Sequence, residues 1–317
     1  MAEPGSSMPV IPVTLIIPIV NEALTLSRLL AGIVSQTQRP AEVLFVDGGS
    51  TDNGAQIINT WWQTSAWAEG SCQVISNPGG LPGGNRNAGI QRAKQPWLAF
   101  LDGGIAPEND WLGQLHDYAL THSARAVSGL CRFDGHGAVE LAICALSAGV
   151  GTKLPVLPAS LFHRDVFSQV GLFPEHLRAA EDLQWLQRLA PAGITREICA
   201  KAVVNYRHFP PTIGAAVLKW FLYEQNNTRA GVRRSQQNCY LAALATFLAL
   251  CFVSQSYAAT GFALYWFARG VIDPARRSHN IVWWARKPAA FFFAIILGPC
   301  LDVTRLAGTL FSLPQRK

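Results

Sequence analysis

Two carboxylates follow directly after apolar runs that are typical of buried strands. Asp47 ends the run EVLFVD and opens VDGGSTDNG, and Asp102 ends WLAFLD and opens LDGGIAPENDW. A carboxylate at the carboxyl end of a buried strand is suited to hold a metal ion or a ribose. Each motif alone is also compatible with a solvated turn, because the glycines permit tight turning and Ser50 or Asp52 can cap the next helix.

Two further segments carry polar groups at predicted helix starts. NPGGLPGGNRNAGI places Arg86 and Asn87 at the beginning of a helix, where free amide groups and a guanidinium suit a diphosphate. It is not a Walker A loop, because no Gly-Lys-Ser/Thr follows. AAEDLQWLQRL places Glu181 and Asp182 at another helix start. The helix dipole alone favours carboxylates there, so this segment by itself leaves a purely structural role open.

Alternating strands and helices must position these groups. Strand patterns and helical patterns alternate over 13–19, 22–36, 42–47, 55–63, 72–76, 84–94, 97–102 and 110–122. Asn21 is the predicted N-cap of the first helix. Strands separated by such helices predict right-handed crossovers and a parallel sheet covered on both faces. Ligands bind beyond the carboxyl ends of parallel strands, so one rim is expected to contain Asn21–Glu22, Asp47–Asp52 and Asp102–Gly104.

In this order and spacing, the segments resemble the family 2 glycosyltransferases. IIPIVNE is similar to that family's P-x-x-N-E opening, VDGGSTDNG to its D-G-S-T-D segment and GGNRNAGI to its A-R-N-x-G segment. LDGGIAPENDWL occupies the D-x-D position, and FHRDVFSQVGLFPE looks like the stretch that closes in G-G-F-D-E ahead of the E-D motif. The resemblance covers roughly residues 12–230. It implies an α/β fold of the GT-A kind, a Rossmann-like, mostly parallel sheet flanked by helices.

The resemblance also implies a role for each matching residue. Asp182 would be the catalytic base, and an Mg²⁺ or Mn²⁺ ion would be held by Asp102 and His208. Glu22 and Asp47 would lie near the base and ribose of the nucleotide, and Arg86 near the diphosphate. The whole donor site would comprise Pro18, Asn21, Glu22, Asp47, Arg86 and Asp102. Acceptor binding or support of the site would fall to Glu175, Glu181 and Arg188.

The D-x-D motif of this chain is incomplete, because Gly103 and Gly104 follow Asp102. The pattern looks like a subgroup of membrane-attached members with D-A-G at this place. The metal would then depend on Asp102, the donor diphosphate and one other ligand. His208, in NYRHFPP, lies where GT-A enzymes often place a metal-binding histidine, and a surface histidine beside an arginine is the alternative interpretation.

The implied activity is inverting transfer of a sugar from a nucleotide-sugar donor to a lipid-linked or polysaccharide acceptor. Two other classes stay open. The missing second acid favours a non-catalytic, nucleotide-sugar-binding membrane scaffold. A GT-A-shaped nucleotidyltransferase is the third class, although such enzymes usually open with a glycine-rich loop bearing Lys or Arg, where this chain has PIVNE.

Charged residues are scarce and unevenly placed along the chain. They make up 15% of it, against about 25% in typical soluble domains. After Glu224 the only acidic residues are Asp273 and Asp302, so the formal net charge of +6 arises around the C-terminal part. A basic, apolar region suits an anionic membrane surface. No nucleic-acid partner is expected, because the basic residues flank apolar runs and no nucleic-acid-reading motif is present.

The C-terminal region is predicted to be helical and membrane-associated. An amphipathic helix is expected over 212–231, and thirty residues from 239 to 268 then pass without a formal charge. Arginines on both sides favour a tight hairpin or an in-plane arrangement over a single crossing. The run 288–301 is too short to span a bilayer unless it absorbs Asp302 and Arg305. A packed helical subdomain in a soluble protein is the alternative.

These patterns predict a catalytic domain at 1–232 and membrane-associated helices at 233–317. Because nucleotide sugars are cytoplasmic, the expected location is the inner membrane, with the catalytic domain in the cytoplasm. The first twelve residues lack a basic segment and contain prolines, so they do not resemble a signal peptide. The seven cysteines are scattered without a C-x-x-C pair, which favours buried thiols in a reducing compartment.

Overall fold

The computed structural model describes residues 8–312 apart from 66, 68 and 69. The chain forms two compact units. The first comprises Met1–Arg132 and Lys153–Tyr206, and the second comprises Phe133–Thr152 and Arg207–Lys317. A short internal segment thus belongs to the same unit as the C-terminal part. The functional boundary expected near residue 232 stays a prediction.

The elements of the described residues are numbered in chain order. The strands are β1 (Val10–Ile19), β2 (Arg39–Asp47), β3 (Ser71–Ser76), β4 (Trp97–Phe100), β5 (Ile105–Pro107), β6 (Ala126–Phe133), β7 (Lys153–His163) and β8 (Glu197–Tyr206). The helices are α1 (Ala23–Val34), α2 (Gly54–Thr64), α3 (Pro82–Arg92), α4 (Trp111–Thr121), α5 (Ala138–Ser147), α6 (Arg164–Val170), α7 (Glu181–Leu186), α8 (Ile213–Arg229), α9 (Arg234–Val253), α10 (Gln255–Phe267), α11 (Asp273–Arg277) and α12 (Ala289–Leu310). A π-helical turn at Ala268–Ile272 joins α10 to α11.

The strands form one mixed sheet in the order β3-β2-β1-β4-β7-β6-β8-β5. β1 pairs in parallel with β2 and with β4, and β2 pairs in parallel with β3. The predicted succession of four strands and four helices is therefore confirmed, with parallel strands whose carboxyl ends meet at one edge. Beyond β4 the pairing changes, since β7 is antiparallel to both β4 and β6, and β5 is antiparallel to β8. The sequence patterns do not predict this antiparallel half, of which β5 and most of β6 lie before residue 132.

An aromatic core lies beneath α7. The rings of Phe162, Phe167 and Phe173 surround Trp185, with centroids 4.7–5.1 Å from its own. The indole of Trp185 donates a hydrogen bond to the carbonyl oxygen of Gly171 at 2.8 Å. Large buried rings that also satisfy their polar atom fix the position of an element strongly. This core therefore determines where the short helix α7, and the carboxylates at its beginning, are held.

In the second unit, α12 packs against α8 and α5. A Cβ atom at Gly308 would lie 2.8 Å from the carbonyl oxygen of Phe221, so the two helix backbones approach closely only because this residue is glycine. The amphipathic helix predicted at 212–231 is confirmed as α8. Since α8 packs on α12, a fragment that ends near residue 231 would expose the surface that α12 covers.

An ion-pair network ties α12 to the π-helical turn. Arg269 donates to Asp302 at 2.7 Å and to Asp273 at 2.7 Å, and Arg305 donates to Asp302 at 2.8 Å. The apolar run predicted from 288 continues through Asp302 and Arg305 to give a helix of 22 residues. Among the described residues, α12 is the one helix whose length and composition would allow it to cross a membrane.

The charge-free stretch folds as two helices, α9 and α10, that meet at Ser254. They contact each other through pairs such as Phe247 and Phe262, whose ring centroids are 6.0 Å apart. Cys239 and Cys251 are exposed on α9, so the prediction that the cysteines are uniformly buried is wrong for these two. The departure follows from the exposure of residues 239–268, because few of their described side chains are buried.

Candidate functional site

The loops that follow β1 and β2 are joined by Asn21. Its side-chain oxygen accepts hydrogen bonds from the backbone amide and the hydroxyl of Thr51 at 2.8 and 3.2 Å. The backbone amide of Asn21 donates to the Ser50 hydroxyl at 3.0 Å. Asn21 has a φ of 55°, a left-handed conformation that asparagine tolerates better than most residues. The prediction that Asn21 caps α1 is wrong. Glu22 occupies the N-cap position, and Asn21 instead couples two loops of the rim.

Asp47 and Asp52 organise the loop after β2. One carboxylate oxygen of Asp47 accepts from the amides of Gly49 and Ser50 and from the Ser50 hydroxyl, at 2.7–3.0 Å. Asp52 accepts from the first amide of α2, at Gly54, and from the first amide of α1, at Ala23. The expectation that Ser50 or Asp52 contributes to the next helix start is thus met by Asp52, which serves two helices together.

Replacing Asp52 with Ala is expected to lower stability by about 1–3 kcal/mol, because two helix starts lose an acceptor and each cap contributes roughly 0.5–2 kcal/mol. Asp52→Asn keeps one side-chain oxygen as an acceptor, so it should lower stability by about half as much as Asp52→Ala. Thermal unfolding of the purified chain in detergent measures both variants. Equal melting temperatures for Asp52→Ala and the unaltered chain would contradict this double capping role.

The loop after β4 approaches Glu22 at Gly103. A Cβ atom at Gly103 would lie 2.8 Å from Cγ of Glu22, so this loop approaches Glu22 as closely as it does only with glycine at 103. One oxygen of Glu22 accepts from the Thr25 hydroxyl at 2.6 Å. The side chain of Asp102 is 40% exposed. The loops after β1 and β4 therefore meet at this rim, as their positions after parallel strands predict.

Arg86, on α3, lies between two carboxylates that are distant in sequence. Its guanidinium donates to Asp102 at 2.8 Å and to Glu181 at 2.5 Å, and it lies over the ring of Phe173 with 5.8 Å to the centroid. Arg86 is 4% exposed and Glu181 is also 4% exposed. Its Nε atom is buried without a hydrogen-bond partner. Arg86 thus connects the end of β4 to the beginning of α7 inside the first unit.

The electrostatics of this cluster are those of one arginine among three carboxylates. Burial alone would lower the pKa of the Arg86 guanidinium, but the negative charges of Asp102, Glu181 and Asp182 outweigh it and raise that pKa. Burial raises the pKa of the Glu181 carboxyl, with a further contribution from Asp182, and the charge of Arg86 opposes this shift. The excess of negative charge makes the cluster suited to a cation.

Asp182 is the more accessible member of the pair at the start of α7. It is half-buried, whereas Glu181 is buried, and one oxygen of Asp182 accepts from the amide of Leu183 at 2.7 Å. Ala180, which precedes the pair, has a φ of 69°, a strained conformation for a residue with a Cβ atom. Such strain persists only where the surroundings enforce it. Here the buried Glu181 on one side and the aromatic core beneath provide that constraint.

Asn87, which the sequence places beside Arg86 on α3, supports the segment before α7. It is buried, donates to the carbonyl oxygen of Phe173 and to the carboxylate of Glu175 at 2.9 Å each, and accepts from the amide of Phe173 at 2.9 Å. Arg188 donates to the carbonyl oxygen of Leu172 at 3.1 Å. Glu175 and Arg188, expected to bind the acceptor or to support the site, both contribute to these bonds around the segment before α7. The sequence signal for this role is the polar Asn87 directly after Arg86 in GGNRNAG, and the structure adds that Asn87 is buried.

The remaining predicted residues are placed separately. Pro18 lies in β1, opposite Val46 of β2. His208 is half-buried in the second unit, just after β8, whereas Asp102 belongs to the first unit. Within the described part of the chain, no three side chains of His, Cys, Asp or Glu are grouped as a metal site. A cation here would therefore need ligands from a bound substrate or from water.

Residues 14–142 match the model of the family "Glycosyl transferase family 2". The chain is similar to "Glycosyltransferase AglE" of Haloferax volcanii, with 30% identity over 191 residues that make up 57% of this chain and 62% of the relative. It is also similar to "O-antigen chain rhamnosyltransferase WbaN" of Salmonella anatum, with 26% identity over 55% of this chain and 58% of the relative. The chain thus spans about three fifths of the length of these relatives.

The fold also has a counterpart among solved structures. A mannosyltransferase from Pyrobaculum calidifontis, PcManGT, solved in complex with GDP-Man and Mn²⁺, superposes with a TM-score of 0.57. The match covers 96% of this chain and 88% of that one, at 17% identity. This likeness concerns the fold alone, which is of the GT-A kind. The family match over 14–142 and the motifs in their expected order make this chain similar to the family 2 glycosyltransferases.

Proposed function

We propose that this chain is an inverting glycosyltransferase that uses a nucleotide-sugar donor and a lipid-linked or polysaccharide acceptor. The observation that carries the proposal is the cluster in which Arg86 joins Asp102 to Glu181 while Asp182 stays accessible beside them. This arrangement combines a carboxylate for the donor side with one for proton abstraction. The names of the relatives, which include a rhamnosyltransferase, support the same class of reaction.

Asp182 is the proposed base. It would accept the proton of an acceptor hydroxyl as the hydroxyl oxygen attacks the anomeric carbon, while the bond from that carbon to the diphosphate breaks on the opposite face. The product has inverted configuration, and the electron pair of the broken bond leaves with the nucleoside diphosphate. Glu181 is less suited to this role, because it is buried and bonded to Arg86.

The rim loops are the proposed donor site. Glu22 and Asp47 would contact the base and ribose, and the Pro18–Asn21 segment would form the wall beside them. Asp47 has one oxygen engaged by its own loop, which fixes the direction of the other. Arg86 was expected at the diphosphate. Since it is 4% exposed, we propose that it acts there mainly through its charge and through the position it gives Asp102.

The proposed cofactor is a divalent cation, Mg²⁺ or Mn²⁺. The residues present fit such an ion when it arrives with the donor, because Mg²⁺ commonly uses one or two carboxylates, substrate phosphates and water. Asp102 would provide the carboxylate, since Arg86 occupies only one of its oxygens. When bound, the ion would neutralise charge on the departing diphosphate. His208 stays a proposed additional ligand.

Chelation with EDTA is expected to abolish transfer, and added Mg²⁺ or Mn²⁺ should restore it in the unaltered chain. In Asp102→Ala the same addition should restore less than about a tenth of the activity, because the carboxylate ligand is missing. His208→Ala is the companion variant, and a raised metal requirement there would support the second ligand. Full activity of the EDTA-treated chain would contradict metal dependence.

We further propose that the chain is attached to the cytoplasmic face of the inner membrane. The support is physical: residues 239–268 are mostly apolar, exposed and without charge, and arginines lie on both sides of them. Apolar surface of this extent is unfavourable in water, and basic flanks suit anionic lipid headgroups. The acceptor would then be lipid-linked or a growing polysaccharide that is held at the same surface.

A thermal-shift screen with a panel of nucleotide sugars tests donor binding, and release of the nucleoside diphosphate from each hit tests catalysis. Binding with turnover supports the enzyme. Binding without turnover under all acceptor and metal conditions would favour the second candidate, a non-catalytic scaffold, for which the motivating observation is Gly104 at the place of the second D-x-D acid. No binding by any nucleotide sugar would contradict both.

A further inference from the structure

We propose that α9 and α10 form a hairpin that inserts into a lipid bilayer from one face and does not emerge on the other. The proposal rests on the membrane attachment proposed above and specifies how it is achieved. It commits to the acyl chains of the bilayer as the occupant of the exposed apolar surface. The second unit would then be anchored by the inserted α9–α10 hairpin instead of by a transmembrane helix.

Most of the hairpin is not covered by the other described residues. Among the described side chains of 239–268, only Ala258 is buried, whereas Phe252 is 92% exposed and Val253 is 74% exposed. The stretch contains no Lys, Arg, Asp or Glu. A helix that lies in the plane of a membrane needs one polar, usually basic face, which these helices do not have. Apolar surface all round favours insertion.

The length of the hairpin limits how far it can reach. Its tip, Ser254, lies fifteen residues before Arg269, which corresponds to a helical length of about 22 Å. The hydrocarbon core of a bilayer is about 30 Å thick. Arg269 cannot follow the hairpin inward, because its side chain is 10% exposed and is paired with Asp273 and Asp302. The tip therefore passes the bilayer centre but stops short of the far headgroups.

The distribution of polar groups agrees with a base at one membrane surface. Arg233 precedes α9 and Arg234 is its first residue, and Arg269 and Arg276 follow α10, so these cations are all at the base. Tyr265 and Trp266 lie next to them, and such rings prefer the headgroup boundary. At the tip, the amide of Ser254 donates to the carbonyl oxygen of Leu250 at 2.9 Å, which satisfies this donor inside the turn.

α12 has a different role from the hairpin, although its length would allow a crossing. Its face with Leu297, Leu301 and Gly308 is buried within the second unit. Asp302 and Arg305 on the same helix belong to the ion-pair network with Arg269. Taking α12 out of this packing would separate buried charges, which is strongly unfavourable. The structure thus assigns α12 to the support at the base of the hairpin.

Cys251, exposed three residues before the tip, is a natural reporter of depth. The full-length chain, with Cys239→Ser, is reconstituted in sealed phosphatidylglycerol-phosphatidylcholine vesicles and treated with a membrane-impermeant maleimide. We expect labelling of Cys251 to be at least tenfold lower than after the vesicles are dissolved in SDS, from either side of the membrane. A chain with Cys251→Ala gives the background, and Thr64→Cys, exposed in the first unit, gives the signal of a residue in water.

Labelling of Cys251 from the far side only would show a complete crossing and would overturn the proposal. Labelling from the near side would show an in-plane arrangement and would overturn it too. In a second measurement, Cys251 is labelled with the fluorophore bimane in detergent and the chain is then reconstituted in vesicles. Bimane fluorescence should be quenched more by lipids with a nitroxide deep in the acyl chain than by lipids with a nitroxide near the headgroup. These outcomes concern insertion only, since membrane attachment is read independently from flotation with the vesicles and catalysis from nucleoside diphosphate release.

A charge introduced at the tip tests the insertion of the hairpin through the affinity of the chain for vesicles. Phe252→Glu should lower the ratio of vesicle-bound to free chain at least tenfold, because an ionised carboxylate in hydrocarbon is costly. Leu120→Glu, an exposed position on α4, is the matched control and should leave the ratio unchanged. Phe252 is exposed, so folding is unaffected. If the chain instead stays off vesicles and Phe252→Glu converts a soluble dimer into a monomer, the hairpin binds a second copy and the proposal is wrong.

Discussion

Replacement of Asp182 by Asn is expected to lower turnover by about 100-fold or more while donor affinity changes only a few-fold. Asparagine has nearly the same shape, but it cannot take the proton of an acceptor hydroxyl. Donor affinity should persist because Asp182 is bonded to its own helix, through Leu183, and the donor-side cluster around Arg86 stays intact. Steady-state kinetics together with donor binding measured by calorimetry separate the two effects.

The matched control for this prediction is Asp165→Asn, an exposed carboxylate of the same unit whose side chain is 69% accessible. It should be active at the level of the unaltered chain. Near-normal turnover of Asp182→Asn would remove Asp182 from the role of base. If only donor binding were lost, Asp182 would belong to the nucleotide site instead.

Replacement of Arg86 by Met is expected to be the most destabilising substitution in the first unit. It leaves Glu181 buried without its cation, and breaking a buried pair in this way costs about 3–5 kcal/mol. The loss of the bond to Asp102 adds less, because that carboxylate is 40% exposed and water screens it. The melting temperature should fall by roughly 10 °C, given the usual relation between stability and melting temperature. Activity should be lost as the two carboxylates separate.

Because the pKa of Glu181 is raised, the loss of stability in Arg86→Met should depend on pH. Burial already raises that pKa, and removal of Arg86 takes away the charge that opposed the shift. A carboxyl whose pKa is raised in the folded state favours folding at low pH and loses that contribution as the pH rises through the folded value. The defect of Arg86→Met should therefore be smaller at pH 5 than at pH 8.

Two further variants separate this explanation from simple loss of packing. Arg86→Met combined with Glu181→Gln should recover part of the stability, because no unpaired carboxylate is left in the interior. Arg92→Met, on the exposed side of the same helix, should change the melting temperature by less than about 2 °C. A double variant as unstable as Arg86→Met alone would contradict the ion-pair account.

Local patterns predict the parallel half of the sheet well. The strands β1, β2 and β4 are apolar runs and α1 buries one apolar face, so local signals and tertiary pairing agree there. The same rule places Glu22, Asp47 and Asp102 at one edge, since parallel strands end together. The order of the motifs indicates a similarity to a family, because four weak signals in a fixed sequence order are far more specific than any one of them.

Contacts between distant residues are what local patterns do not reveal. Arg86 and Glu181 are 95 positions apart, and nothing near either residue indicates that the two side chains form a buried ion pair. Asn21 looks like a helix cap because asparagine is good at capping. It also tolerates a left-handed backbone, and the loop after β2 makes use of that second property. The antiparallel strands are missed for a related reason, as their pairing depends on partners far along the chain.

The central claim is that the cluster of Asp102, Arg86, Glu181 and Asp182 supports transfer of a sugar from a nucleotide-sugar donor. The most direct test is nucleoside diphosphate release, measured on the full-length chain in detergent with Mn²⁺ or Mg²⁺ and the donors found by thermal shift, and repeated with Asp182→Asn. We predict metal-dependent release that is stimulated by acceptor-containing membrane extract and falls about 100-fold or more in the variant. Release that is equal in the variant and the unaltered chain, or absent with every donor that binds, would contradict the claim.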